Sequence, residues 1–225
     1  MNKTRFVFSI AVAALLVATP AMGQLNNFPV LALPAGDADG ATSIGAGWGR
    51  GLNESTGKLN SFVLGVARAM ESVSFGISGA YVVDAGGADA SEIALGGSIA
   101  YNLPQNDLPV RFGVQGGIEW MSMDGTPDNT TLLNFPVGIT IQGSTQAGSM
   151  ALRPWIMGRW EWIRTSSGGT SGTEGNAGIS SGISGVMESG FGIGLSIDWT
   201  RPDRLSGAAT ENWWLFGAAV FYALP

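Results

Sequence analysis

No cysteine and no histidine occur in the 225 residues, and charged residues make up only 12% of them. Without cysteine there is no disulfide and no thiolate nucleophile, so an exported fold has to be held by hydrogen bonding or by a large buried surface. Without histidine there is no Ser-His-Asp or Cys-His catalysis and no imidazole zinc site. Lys58 is the only lysine beyond residue 3, so a Ser-Lys dyad would have to draw on what reads as a surface loop. The usual bases of catalysis are missing, and the chain reads as a non-enzyme with no cofactor. Eleven Lys and Arg stand against 17 Asp and Glu, a formal charge of −6. That balance repels nucleic acid.

Long hydrophobic runs are lacking too. The one clear apolar run, Phe6 to Ala18, follows Lys3 and Arg5 and gives way to Thr19-Pro20-Ala21-Met22-Gly23. Charge, apolar run and small residues in that order mark a signal peptide, and the run is shorter than the roughly 20 residues of a membrane helix. Residues 1–23 are expected to be removed, with a cut after Ala21 as the alternative. Residues 24–41, rich in Pro, Gly and Asp, read as a periplasmic lead-in. Mean hydropathy is nevertheless positive, at +0.22. A chain this apolar without spanning helices has to spread its hydrophobicity by alternation.

Glycine is abundant, with 35 copies, and period two is pervasive. The stretch SIGAGWGRGL, residues 43–52, sets Gly45, Gly47, Gly49 and Gly51 against Ile44, Ala46, Trp48, Arg50 and Leu52. A dinucleotide fingerprint needs G-x-G-x-x-G, and the sixth position is Arg50 or Leu52 depending on the first glycine chosen. The spacing therefore predicts a strand with one bare face. Residues 72–84, 92–103 and 191–200 alternate in the same way, and Phe191, Ile193, Leu195, Ile197 and Trp199 oppose Gly192, Gly194, Ser196, Asp198 and Thr200. Further strands are expected near 42–53, 59–70, 110–122, 130–142, 151–164, 177–188 and 213–222. The total is about ten, with eight or twelve as alternatives, each near the roughly 9 to 11 residues that a tilted strand needs to cross a bilayer.

Glycine-, Asp- and Thr-rich stretches follow every odd strand, at 53–58, 84–91, 123–129, 165–176 and 201–212, while even strands end in tighter turns. Long loops on one rim and short turns on the other predict a transmembrane antiparallel up-and-down β-barrel with both termini in the periplasm. A soluble β-sandwich also alternates, but its outer face would be bulky and charged. Here the polar face is Gly, Ser and Ala, which suits a narrow lumen. Trp48, Tyr81, Trp120, Trp162, Trp199 and Trp214 fall near one set of strand ends, and Tyr101 and Tyr222 near the other, as two aromatic girdles would.

The closing segment Leu215-Phe216-Gly217-Ala218-Ala219-Val220-Phe221-Tyr222 resembles the terminal strand by which outer-membrane barrels are recognised for insertion. With the leader and the strands, the chain resembles the small outer-membrane β-barrel proteins of diderm bacteria over residues 42–222, leaving 223–225 as a tail. The resemblance implies the outer membrane as location, its lipid as surroundings, and the barrel-insertion machinery as a partner for residues 215–222.

Several polar residues stand on the lumen phase. Arg111, Gln115 and Glu119 share one strand face and Arg153, Arg159 and Glu161 another, with Glu92, Glu188 and Asp198 elsewhere. Charges enclosed in a barrel have to pair, so these residues read either as a stabilising plug or as the lining of a narrow polar pathway. Arg50 and Arg164 fall on the lipid phase near the outer strand ends. There a guanidinium either snorkels to the interface or grips lipopolysaccharide phosphates. Pro136 and Pro154 sit inside strands, and a bulge is expected at one or both. Asp37 and Asp39 lack the rest of a calcium loop, and Asp84, Asp89 and Glu92 read as solvated acids, so no metal is assigned. The functional expectation is a structural or small-solute, porin-like barrel. Its alternatives are a barrel that binds a hydrophobic ligand or surface partner, and an exported soluble β-sandwich.

Overall fold

Alternating residues fold here as one closed ring of antiparallel strands. The computed structural model describes residues 41–53, 59–83, 91–104, 110–123, 128–202 and 212–224. The signal peptide, the lead-in up to residue 40 with Asp37 and Asp39, and Lys58, Asp84 and Asp89 lie outside the described residues. The strands are β1 (Thr42–Gly51), β2 (Asn60–Met70), β3 (Val73–Val83), β4 (Ser91–Asn102), β5 (Val110–Met123), β6 (Thr130–Gly143), β7 (Thr145–Ala147), β8 (Met150–Ser167), β9 (Thr170–Met187), β10 (Phe191–Pro202) and β11 (Trp213–Leu224). Each pairs with its neighbour in sequence, except that β7 joins β8 and not β6; β1 also pairs with β11, and β6 pairs with β8. Those last two pairings close a ten-strand barrel and exclude a two-sheet sandwich. Thr42 lies opposite Leu224, so both described chain ends share one rim, here the terminal rim. The opposite rim is the distal one.

Register decides what each face carries. Because Trp48 pairs with Phe62 and Gly47 with Val63, the glycines of β1 point inward and its Ile, Ala, Trp and Arg residues outward. Every exposed large apolar side chain among the described residues is on the outward phase, from Phe62 and Leu64 on β2 to Ile193 and Leu195 on β10, with Ile77 as much as 70% exposed. Soluble proteins rarely expose apolar patches beyond a few hundred Å². A continuous band around a closed ring is the surface of a membrane-spanning barrel, which leaves no open sheet edge to lipid.

Prolines leave the register intact. The β5–β6 ladder pauses opposite Pro136 and Phe135 and resumes with Glu119 against Asn134 in the same register. The β8–β9 ladder runs through Pro154 without a shift. The bulge expected at these prolines is therefore absent, and each removes only its own donor on one side. At Pro154 that side faces β6: pairing stops after Gln142 opposite Trp155 and restarts at Thr145 opposite Leu152, which makes β7 the continuation of β6.

Residues 165–176, expected as a loop, are strand instead. β8 and β9 run 18 residues each and meet at Gly168 and Gly169, whose φ values of 56° and 79° let a two-residue turn reverse the chain. The Ser/Thr/Gly composition reads as loop because both faces are polar once the hairpin has passed the apolar band. Glycines elsewhere clear space for rings. A Cβ at Gly175 would lie 2.6 Å from the indole of Trp160, and one at Gly182 would lie 2.8 Å from that of Trp155.

Candidate functional site in the barrel lumen

Inward residues are more varied than a Gly/Ser/Ala file. Val63, Ala80, Val82, Ala94 and Met121 form an apolar cluster flanked by Leu59 and Leu132, and Trp155 packs against Met157. Burial of these side chains seals parts of the lumen with hydrocarbon. Leu215 on β11 is completely buried and Phe221 nearly so. Fully buried charge lies on the side built from β5, β6, β8, β9 and β10, whereas Glu92, in the inward phase of β4, is only partly buried and has a partner of its own.

Arg159 on β8 organises that side. Its cross-strand neighbours are glycines on both flanks, Gly138 on β6 and Gly178 on β9. With no side chain at Gly178, the guanidinium lies directly over it, and a Cβ there would come within 2.6 Å of Cζ. The arginine thereby reaches past β9 to β10. Its Nη1 and Nη2 donate to Asp198 Oδ2 and Oδ1 at 2.6 and 2.9 Å, a bidentate pair. Nη1 also donates to Ser180 Oγ, Nη2 to Thr200 Oγ1, and Nε to Glu161. All five N–H donors of the guanidinium are thus used. Ser180 and Thr200 in turn donate to the two oxygens of Asp198.

Glu119 on β5 stands directly across from Asn134 on β6, which donates from Nδ2 to its Oε2 at 2.9 Å. Glu119, Glu161 and Asp198 are all at most 1% exposed. Three carboxylates share this level with a single guanidinium. Glu119 Oε1 and Glu161 Oε2 are buried without a hydrogen-bond partner among the described residues. No three acidic side chains among the described residues come together as a metal site requires.

Of the other residues read as lumen polar groups, Gln115 is buried on the inward face of β5. Arg111 is exposed toward the terminal rim, and Arg153 lies partly buried opposite Ser184; all three have partners of their own. They stand apart from the Arg159 hydrogen bonds. Glu188 is not on the lumen phase: it is an exposed residue just beyond the end of β9, in the turn to β10, where strand alternation no longer applies. Asn134, Ser180 and Thr200 escape sequence reasoning, because a hydroxyl or amide on a polar strand face carries no signal of its own. Gly178 is the one cue: a bare residue beside a lumen arginine's strand marks where its side chain fits, but only once the register is known.

The remaining outward residues lie as follows. Trp48, Tyr81, Trp120, Trp162, Trp199 and Trp214 face outward near distal strand ends, and Tyr101 and Tyr222 near terminal ones. Trp48 meets Phe216 edge to face at 6.2 Å, and Trp199 lies across from Trp214. Arg50 and Arg164 are outward and exposed. The outer face also has a groove of about 510 Å³ around Gly79, walled by Ile44, Leu64, Val66, Ile77 and Leu95. It lies within the apolar band and offers no chemistry.

No known family description matches the chain, and no curated protein is similar to it. Several solved structures are similar in fold. The N-terminal β-barrel domain of Pseudomonas aeruginosa OprF is 12% identical with a TM-score of 0.37, covering 83% of this chain and 98% of its own. Neisserial surface protein A is 11% identical with a TM-score of 0.38, over 81% of this chain and 95% of its own. The outer membrane protease OmpT of Escherichia coli is 9% identical with a TM-score of 0.41, over 84% and 98%.

Proposed function

We propose that this chain is a non-enzymatic barrel of the bacterial outer membrane, with a structural role and a narrow polar lumen that admits only small solutes. The observation that carries this reading is the Arg159 network, a buried ion cluster on the wall of the lumen in which every guanidinium donor is used. An interior built this way is stiff, and at its own level it leaves no wide aqueous bore. Barrels of about this strand number fill their interior with side chains, whereas open channels need more strands.

Other features support a wetted path beside the cluster. Ser61, Ser74, Thr140, Ser184 and Ser196 are inward hydroxyls without a hydrogen-bond partner among the described residues. With the unpartnered oxygens of Glu119 and Glu161 they call for small polar guests such as water. A non-enzymatic role is favoured by the lack of histidine and cysteine and by the chemistry of Asp198. That carboxylate is tied to a guanidinium and so is poorly suited to act as a base. The periplasmic placement of the terminal rim, and recognition of residues 215–222 by the insertion machinery, belong to the same proposal.

Planar-bilayer recording tests it. Wild-type protein is expected to give small, infrequent openings. Arg159→Gln or Glu119→Gln is expected to change their size or frequency, because each alters the cluster beside the path. Silence from all three proteins, with melting that responds to an added hydrophobic ligand, would favour the ligand-binding barrel instead.

A further inference from the structure

The outward face of β8 changes character in a fixed order: Ile156, Gly158, Trp160, Trp162, Arg164, Ser166. Hydrocarbon-facing residues give way to two indoles, then to a guanidinium, then to a hydroxyl. Neighbouring strands change at the same level. Phe135 on β6 and Gly175 on β9 flank Trp162; Leu133 and Thr173 flank Arg164; Thr131 and Ser171 flank Ser166. Indoles prefer the headgroup boundary of a bilayer, so Arg164 stands at headgroup depth with hydroxyls above it and aromatic rings below.

A polar cleft of about 400 Å³ opens at this point, lined by Asn129, Arg164, Ser166, Ser167, Thr170, Ser171 and the Gly168-Gly169 turn, with the Asp128 carboxylate set against Gly168. Arg164 donates from Nη2 to Ser171 Oγ at 3.4 Å, and among the described residues it has no carboxylate partner. Most of its donors stay available. Arg50 offers a contrast: it is also outward and exposed, but its cross-strand neighbours are Asn60 and Phe216.

We infer that the cleft between Arg164 and the tip of the β8–β9 hairpin binds the phosphorylated sugar headgroup of a lipid in the leaflet at the distal rim. Arg164 takes the phosphate, since a guanidinium fork matches its oxygens. The serine and threonine hydroxyls meet sugar hydroxyls, and the open flank of Gly169 lets the ring approach the backbone, while the Asp128 carboxylate, which covers Gly168, accepts from a sugar hydroxyl on the far side of the cleft from Arg164. Trp160, Trp162 and Phe135 lie below, where acyl chains descend. Depth chooses a lipid over a soluble anion, since Arg164 stands one outward position beyond the indoles of Trp160 and Trp162. The site rests on the membrane-spanning fold and is independent of whether the lumen conducts.

The test uses full-length protein refolded in phosphatidylcholine nanodiscs. Lipid A, dephosphorylated lipid A and inorganic phosphate are added separately, and bound lipid is read by native mass spectrometry. The expected result is retention of lipid A, at least tenfold weaker retention by Arg164→Gln, a smaller loss for Ser171→Ala, and none for Arg50→Gln. Heat-modifiable gel mobility reports that each variant is folded. Equal retention of dephosphorylated lipid A, equal retention by Arg164→Gln, or an equal loss for Arg50→Gln would overturn the site. Displacement of lipid A by millimolar inorganic phosphate would also overturn it, because the lipid would then add nothing to anion binding.

Discussion

Arg159 is held by five hydrogen bonds in a place made for it by a missing side chain. Removing one partner of a buried charge cluster strands the others, at a typical cost of about 3–5 kcal/mol. Arg159→Gln and Asp198→Asn are each expected to lower stability by that order, measured as the urea midpoint of folding into vesicles. The double variant should lose less than the sum, since both substitutions break one interaction. Gly178→Ala sharpens the point. Its Cβ would meet the guanidinium at 2.6 Å, an overpacking worth about 1–3 kcal/mol, and the penalty should nearly vanish in an Arg159→Ala background. Additive losses in that cycle would mean that Gly178 serves the backbone and not the arginine. At this scale the sequence is only partly legible. Phase alone marks Glu119, Arg159, Glu161 and Asp198 as inward, but which of them meet depends on the stagger between β8 and β10. No local pattern encodes that stagger, and Glu188 shows how phase fails one residue past a strand end.

Strands are the most legible elements, because an apolar file and a small-residue file on opposite faces leave period two in plain view from Thr42 to Tyr222. The exceptions have physical reasons. Beyond the apolar band neither face of a strand needs to be apolar, so the β8–β9 hairpin outruns the alternation that would reveal it. Shortening it by removing residues 166–171, with a two-residue glycine turn in their place, should leave a barrel that still folds and stays heat-modifiable. Failure to fold would mean that the hairpin belongs to the barrel wall. Prolines mislead in the other direction, since a lost donor suggests a bulge, yet ladders on both sides hold the register against it. Pro136→Val should restore a donor toward β5, where the ladder pauses. Its expected gain is about 0.5–1.5 kcal/mol with new exchange protection at residue 136. An unprotected amide there would show that the pause has another cause.

The whole molecule is a ring whose outside is hydrocarbon-facing and whose inside is sealed partly by apolar side chains and partly by a buried ion cluster. A closed ring needs no disulfide, because each of its ten long strands is paired on both sides, and that fits a cysteine-free chain. The central claim is the assignment of faces, and single-tryptophan variants test it. Trp160 is outward and exposed, whereas Trp155, five residues earlier on the same strand, is inward and 6% exposed. In vesicles containing bromine-labelled phosphatidylcholine, a variant retaining only Trp160 should be strongly quenched and one retaining only Trp155 weakly. Equal quenching of the two indoles, or failure of the refolded chain to enter the vesicles, would contradict the account.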